Sequence, residues 1–328
     1  MFKKFIYSCF LFFVFIILKT TFVMANDIEK LRIGSLQYGS VNWELKLIKE
    51  LGLDLENNFE LEIIELASKN AAAVALQGGA VDMIVTDWFW VSRQRSEGRL
   101  FTFVPHSMAA GGLIVHNESG ISELSDLEGK KIGIAGGQVD KSWLIFRTYF
   151  KKKFNIDLKK SSDQIFGAPP LLNKKIKQKS FDAILTYWPY QAKLMTDDNF
   201  SKIINITDII EKLDIPRGVP VIGWVFKDSW AGENKKLLND FLSVSNKSKK
   251  LMLESDDIWK KIRPNMNAGN EKLFFSLREA YREGIPKSNF SDDQISGSTK
   301  LYSILSKIGG KELVGKADVL SPGTFWSK

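Results

Sequence analysis

The sequence predicts an α/β protein of two similar lobes, each a mostly parallel sheet flanked by helices. Two observations support this fold class. The order strand, helix, strand, helix, strand, which is typical of parallel sheets, occurs twice in 328 residues. In addition, residues 81–90 are repeated by residues 181–190. The matching pairs include Asp82 and Asp182, Thr86 and Thr186, and Trp88 and Trp188. The two copies are about 100 residues apart, a spacing that indicates two related lobes rather than a solenoid.

The first lobe is predicted from residue 31 onwards. A strand over residues 31–36 precedes a turn at 37–40 and a helix that contains Trp43 and ends at Gly52. A second strand over 59–66, an alanine-rich helix over 70–77 and a third strand over 81–85 complete the lobe.

The second lobe repeats this series about 100 residues later. Its predicted elements are a strand at 131–135, a helix containing Trp143, a strand at 163–168, a helix at 171–178 and a strand at 181–185. Extended segments at 102–115 and 218–226 connect the lobes and suit a hinge. We therefore expect lobe 1 to comprise residues 26–113 and 218–328, and lobe 2 to comprise 114–217. The tail is predicted to be helical over 235–253, 256–261, 271–281 and 292–308.

The first 25 residues have the layout of a secretory signal peptide. Lys3 and Lys4 precede an apolar run over residues 5–18, and Ala25 supplies a small residue at the predicted cleavage point. The run is shorter than the roughly 20 residues of a membrane-spanning helix, although an uncleaved anchor remains the alternative. We therefore expect an exported chain that is soluble after cleavage.

Composition excludes several kinds of site. The single cysteine, Cys9, precedes the predicted cleavage point, which leaves the mature chain without disulfides, thiol nucleophiles or cysteine-bound metals. His106 and His116 have no partner at metal-ligand spacing, so we expect neither a metal nor a cofactor. The formal net charge of +8 could suggest nucleic acid, but the lysines are scattered and export argues against that partner.

Four stretches taken together resemble a known family. They are residues 31–34 (LRIG), 75–82 (ALQGGAVD), 121–133 (ISELSDLEGKKIG) and 181–183 (FDA). In this order they are similar to the periplasmic substrate-binding proteins of ABC importers, of the nitrate/sulfonate/taurine type, also called NMT1/THI5-like. The resemblance covers residues 30–230 well and the helical tail loosely.

The resemblance implies a type II periplasmic-binding-protein fold with two hinge crossings. It implies a periplasmic, non-enzymatic protein that captures a small polar organic molecule, of the nitrate/sulfonate/taurine or thiamine-precursor class. The ligand would be delivered to the transmembrane subunits of an ABC permease, and we expect a monomer. Enzymes of this family use Cys and His residues, whereas the predicted mature chain has no cysteine. A periplasmic sensing or accessory protein without a transport role, or an enzyme using the same cleft, are the alternatives.

Ligands of open α/β sheets bind outside the carboxyl ends of the strands, so the candidate site residues are those that follow the strands. In lobe 1 these are Gln37, Tyr38, Ser40, Trp43, Asp87 and Trp88. In lobe 2 and at the return crossing they are Gly137, Gln138, Asp140, Thr186, Tyr187, Trp188 and Arg217, and Lys141 lies beside Asp140.

The chemistry of these residues leaves the ligand open. Asp87 is either a ligand contact or a helix cap, and Trp43, Trp88, Trp143 and Trp188 are either pocket walls or core. The carboxylates suggest an amine, whereas the helix N-termini and Arg217 suggest an anion. A zwitterion or a polar heteroaromatic molecule would satisfy both.

Overall fold

The computed structural model describes residues 28–37, 39–216, 218–287 and 290–327. The predicted signal peptide lies outside the described residues, as do Tyr38 and Arg217.

Lobe 1 contains one five-stranded mixed sheet. Its strands are β1 (Glu29–Leu36), β2 (Phe59–Leu66), β3 (Met83–Thr86), β4 (Phe101–Ser107) and β10 (Ile222–Lys227), in the order β2-β1-β3-β10-β4. Strand β1 pairs in parallel with β2 and β3, and β10 is antiparallel to both of its neighbours. Within this sheet β10, which forms after the chain returns from lobe 2, is antiparallel to the other four strands.

Lobe 2 contains a second sheet of the same design. Its strands are β5 (Gly111–His116), β6 (Lys131–Ala135), β7 (Asp163–Gly167), β8 (Ala183–Tyr187) and β9 (Phe200–Asn205), in the order β7-β6-β8-β5-β9. Here β5, the first strand after the crossing, is the antiparallel one. The two mixed sheets, flanked by helices, confirm the predicted two-lobed α/β fold.

Helices cover the sheets and form the tail. Those of lobe 1 before the crossing are α1 (Val41–Glu50), α2 (Leu53–Glu56), α3 (Lys69–Gly78) and α4 (Trp88–Ser96). Those of lobe 2 are α5 (Lys141–Phe154), α6 (Leu158–Ser161), α7 (Pro169–Lys177), α8 (Trp188–Leu194) and α9 (Ile206–Lys212). The tail has α10 (Asp228–Glu233), α11 (Lys235–Glu254), α12 (Asp256–Ile262), α13 (Glu271–Glu283) and α14 (Asp292–Val314). Within the described ranges, no helix combines the length and the apolar character needed to cross a membrane.

The repeated aspartates occupy equivalent places in the two sheets. Asp82 donates its backbone N–H to the Arg32 carbonyl at 2.8 Å, and its carboxylate accepts the Arg32 backbone N–H at 2.9 Å. Asp182 makes the same two bonds with Lys131, at 2.9 and 2.8 Å. In each lobe the aspartate carboxylate thus adds a hydrogen bond to the pairing of two parallel strands, β1 with β3 and β6 with β8. This shared role explains why the aspartate recurs in the sequence repeat.

The first crossing between the sheets is short. It comprises residues 108–110, because β4 ends at Ser107 and β5, from Gly111 onwards, pairs within the second sheet. Gly111 has φ +110°, and a Cβ at this position would lie 2.1 Å from the Thr186 carbonyl oxygen, so only glycine fits here. We propose residues 108–110 as the change of lobe, just before the predicted division at 113/114.

The tail helices contact both lobes, which the sequence did not predict. On α13, the Ser276 hydroxyl donates to the Ala192 carbonyl of α8 in lobe 2, at 3.0 Å. On α14, Tyr302 stacks on Phe89 of α4 in lobe 1 with ring centres 5.0 Å apart. Helix α14 also packs against α5 of lobe 2. It extends beyond the predicted end at residue 308 and is kinked at Gly310, which has φ +57°.

Candidate functional site

An ion pair joins the carboxyl end of β3 to the first helix of lobe 2. Asp87 follows β3 and caps α4, where its Oδ1 accepts the Trp90 backbone N–H at 3.0 Å. Its Oδ2 lies 2.7 Å from Nζ of Lys141, the first residue of α5. Burial opposes ionisation of both groups, but their attraction outweighs it, so the pKa of Asp87 is lowered and the pKa of Lys141 is raised. Both groups therefore stay charged near neutral pH.

A second polar contact lies beside this pair. Asp140 caps α5 by accepting the Ser142 backbone N–H at 2.9 Å, and its Oδ2 accepts the Tyr187 hydroxyl at 2.8 Å. Burial and the Asp140 carboxylate raise the pKa of Tyr187 far above its ordinary value, so the hydroxyl keeps its proton. Lys69, the first residue of α3 in lobe 1, places Nζ 5.5 Å from the centre of the Tyr187 ring.

These five side chains form one group, which we call the interlobe network: Lys69, Asp87, Asp140, Lys141 and Tyr187. Lys69 and Asp87 belong to lobe 1, and the other three belong to lobe 2. Within the network the two aspartates offset the two lysines in formal charge. The arrangement offers a ligand both cationic and anionic groups at the place where the lobes meet.

The glycine turn before α5 leaves backbone accessible beside the network. Gly136 has φ +94°, and a Cβ there would lie 2.7 Å from the Tyr187 hydroxyl oxygen. Gly137 and Gln138 are exposed, and a Cβ on Gly137 would meet open space. This turn can therefore admit a ligand close to the backbone and to the N-terminus of α5.

The corresponding turn of lobe 1 lies between β1 and α1. Gln37 is exposed and donates its backbone N–H to the Leu66 carbonyl at 3.1 Å. Ser40 precedes α1 and is partly exposed, with no side-chain capping bond. Among the described residues neither side chain has a hydrogen-bond partner, so both can meet a ligand at the carboxyl edge of the first sheet.

Three buried side-chain oxygens near the strand ends have no hydrogen-bond partner among the described residues. They are Ser35 Oγ at the end of β1, Asn42 Oδ1 in the first turn of α1 and Thr186 Oγ1 at the end of β8. Buried polar atoms usually have partners, so these atoms mark places for a ligand or water. Of the three, Thr186 was predicted from the sequence.

Trp88 was predicted as a site residue, and the structure corrects this prediction. Its side chain is 2% exposed, and its indole N–H donates to the Pro220 carbonyl at 2.9 Å. The ring stacks on Phe89 with centres 4.1 Å apart and also packs near Tyr302 of α14. Because α14 covers this side of α4, Trp88 is core rather than a wall of the cleft.

The other tryptophans divide between core and the lobe boundary. Trp143 is 1% exposed and packs on Phe166, so it is core. Trp43 is 6% exposed, and its indole N–H donates to the Asn265 carbonyl at 3.2 Å. Its ring meets Trp188 of lobe 2 edge-on, with centres 5.8 Å apart. Trp43 and Trp188 thus contact each other across the lobe boundary.

Sequence reasoning missed Lys69, Ser35 and Asn42. Lys69 begins the helix that follows β2, and Ser68 caps that helix by accepting the Ala71 backbone N–H. A serine cap after a strand marks the carboxyl edge of a sheet, so this signal was present for Lys69. Ser35 and Asn42 carry no such mark, because each is one polar residue within an ordinary strand or helix pattern.

Two surface grooves lie away from the interlobe network. One, of about 690 Å³, is lined by α10, α11 and the C-terminal Trp326, and the other, of about 580 Å³, lies between α12 and α13. Neither groove contains a residue of the network, so neither is part of the candidate site.

A sequence-family model, described as NMT1/THI5 like, matches residues 49–257. The chain belongs to the NMT1/THI5-like family. The match spans more than half of the 328 residues and includes strands of both sheets. It confirms the resemblance drawn from the four sequence stretches. No curated protein sequence matches the chain.

Solved structures of similar fold cover nearly the whole chain. The periplasmic aliphatic sulphonate binding protein SsuA from Escherichia coli has a TM-score of 0.72 and 16% identity, covering 91% of this chain and 92% of that one. The alkanesulfonate-binding protein SsuA from Xanthomonas axonopodis pv. citri, bound to MOPS, has a TM-score of 0.68 and 16% identity, covering 92% and 99%.

A third structure is the ligand-binding component of an ABC-type import system from Staphylococcus aureus, with zinc bound. It has a TM-score of 0.65 and 13% identity, and covers 90% of this chain and 98% of that one. At these identities the likeness establishes the periplasmic-binding-protein fold that the sequence predicted.

Proposed function

We propose that this NMT1/THI5-like protein is the solute receptor of an ABC importer. It captures a small polar organic molecule between its lobes and delivers that molecule to the transmembrane subunits of a permease. Family membership and the two-lobed fold support this function. The observation that carries it is the Asp87–Lys141 ion pair, because it places charged groups of the two lobes 2.7 Å apart beside the carboxyl end of β3.

The ligand binds beside the interlobe network. Backbone N–H groups at the start of α1 and α5 donate to an acceptor group of the ligand, with Gln37, Ser40, Gly137 and Gln138 around it. Thr186, Asp140 and Tyr187 contact it from lobe 2, and Asp87 from lobe 1, while Tyr38 and Arg217 remain candidates on the sequence argument alone. Contact with both lobes stabilises the closed form, which is the form that docks on the permease.

The proposal includes export and the absence of catalysis. Residues 1–25 direct the chain to the periplasm and are removed after Ala25. The mature chain acts as a monomeric binding protein without cofactor. The E. coli neighbour is described as periplasmic, and the three neighbours are described as binding proteins or a ligand-binding component, which supports this assignment.

The first test is thermal unfolding of residues 26–328 with a panel of solutes. This chain contains every strand and helix described above. The panel holds nitrate, ethanesulfonate, taurine, a simple amine and a thiamine-type pyrimidine. A ligand that binds only the folded state stabilises it by RT ln(1 + [L]/Kd), or about 2.7 kcal/mol at a hundredfold excess over Kd.

We expect one class to raise the midpoint by several degrees at millimolar concentration. Binding of ethanesulfonate but not of taurine would indicate an anion site, and the reverse would indicate a site for a zwitterion. A flat response to the whole panel would remove the support for these solute classes.

A further inference from the structure

Trp188 lies where lobe 2 meets the tail and lobe 1. It is the first residue of α8 and is partly buried. Its ring lies edge-on to Trp43 of α1, with centres 5.8 Å apart and planes at 87°. It is also edge-on to Tyr281 of α13, with centres 6.1 Å apart and planes at 72°. Edge-to-face pairs at these distances are attractive beyond the apolar area that they bury.

The two rings that Trp188 contacts belong to a group of three, which we call the aromatic socket: Trp43, Trp259 and Tyr281. Each ring contacts the other two, at centre distances between 5.4 and 6.3 Å. All three side chains are buried. The indole N–H of Trp259 donates to the Met252 carbonyl at 2.7 Å, which fixes its orientation.

A buried carboxylate supports the socket from behind. The Tyr281 hydroxyl donates to Glu44 Oε2 at 3.3 Å, and the Ser245 hydroxyl donates to Glu44 Oε1 at 2.5 Å. Glu44 is fully buried, and Nζ of Lys249 lies 3.9 Å from it. Burial raises the pKa of Glu44 despite this lysine. Through Glu44 the helices α1, α11 and α13 are tied together around Tyr281.

The polar contacts between α13 and lobe 2 are weak. The ion pair of Lys272 with Asp198 is exposed on both sides, with side-chain exposures of 57% and 94%. Exposed ion pairs contribute little to an equilibrium because water and salt screen them. The Ser276 hydroxyl makes one hydrogen bond to backbone. In α8, Trp188 and the buried Ala192 pack into the same apolar cluster as the socket, and Trp188 is the larger of the two.

We propose that Trp188 is a positioning residue for lobe closure: it inserts into the aromatic socket and thereby docks lobe 2 on lobe 1, apart from any contact with the ligand. This inference rests on the proposed function, since closure is the step that it serves. The Tyr281–Glu44 hydrogen bond keeps the socket in the shape that receives the ring.

The interlobe distance can be measured without any ligand. Cys9 is the single cysteine and lies in residues 1–25, so residues 26–328 contain none. Cysteines introduced at the exposed positions Glu62 on β2 and Lys174 on α7 can carry spin labels on the two lobes. Electron–electron resonance then gives the distribution of distances between the lobes, in which a short-distance population represents closure.

We expect the wild-type chain to show a short-distance population in the absence of added solute. Trp188→Ala loses two aromatic pairs, each of which shifts such an equilibrium about twofold to tenfold, so this population should fall. Trp188→Phe keeps a ring and should restore most of it. Tyr281→Phe, which removes one hydroxyl, should lower the population less than Trp188→Ala.

Tyr190→Ala is the matched control. Tyr190 is an aromatic residue of the same helix and has a ring contact with Lys193 of that helix. A wild-type distance distribution in Trp188→Ala would overturn the proposal. So would an equal shift in Tyr190→Ala, or a wild-type chain without a short-distance population. The measurement uses no ligand, so a failed solute panel leaves it intact, and its own failure leaves the receptor function standing.

Discussion

Asp87 shows how one side chain serves two elements. One oxygen caps α4 and the other pairs with Lys141 of the opposite lobe. From the sequence, capping and ligand contact were alternatives for this residue. The capping role could be predicted because Asp is a preferred N-cap residue and the helix begins one residue later. The partner could not be predicted, since Lys141 is 54 positions away and belongs to another lobe.

Asp87→Asn separates these two roles. Asparagine also caps helices, so α4 should remain intact, while the charge that attracts Lys141 is lost. Because the pair is partly exposed, we expect a loss of about 1–2 kcal/mol in the free energy of unfolding at pH 7, measured by urea denaturation. Asp240→Asn is the control, because its exposed pair with Lys236 should contribute almost nothing.

The difference in the free energy of unfolding between wild type and Asp87→Asn should depend on pH in a defined direction. The pKa of Asp87 is lowered in the folded chain, so its contribution is present above the unfolded value of about 3.9 and is lost as pH falls through the folded value. The pKa of Lys141 is raised, so the pair is also lost at alkaline pH above the folded value of Lys141. The difference between wild type and variant should therefore be constant near neutrality and should shrink in acid. A difference that grows in acid would contradict the ion-pair assignment.

At the scale of helices and strands, local patterns predicted most elements. Alternating apolar residues marked β1 and β2, and Gly78 and Gly79 marked the end of α3, because these signals lie within one element. The packing of the tail could not be predicted. Contacts such as Phe89 with Tyr302 join residues more than 200 positions apart, and neither side carries a local signal of its partner.

The position of α14 explains the correction at Trp88 and can be tested there. Trp88→Ala removes a ring that fills the core between α4 and α14, so we expect a loss of about 3–5 kcal/mol in the free energy of unfolding. Urea denaturation measures it, and Trp88→Phe should cost less because it leaves a smaller cavity. If Trp88→Ala kept full stability but bound solute more weakly, Trp88 would be a wall of the cleft rather than core.

At the scale of the whole molecule, the sequence repeat corresponds to two sheets with the same strand order and the same direction of each strand. This much was predictable, because a parallel sheet needs the alternation of strands and helices that the sequence shows twice. The contact between the lobes depends on residues from both lobes and from the tail, such as Trp43, Trp188 and Tyr281. These residues meet only once the chain has folded, so no single stretch indicated that they would contact one another.

Closure of the two lobes on a small solute is the step on which the proposed receptor function depends. The most direct measurement is the distance between spin labels at Glu62→Cys and Lys174→Cys, recorded with and without the panel member that stabilises residues 26–328 most. We expect saturating solute to convert long distances into the single short population that represents closure, with a midpoint at the same concentration as the thermal stabilisation. A solute that stabilises the fold but leaves the distance distribution unchanged would show binding without closure, contrary to the proposed receptor mechanism.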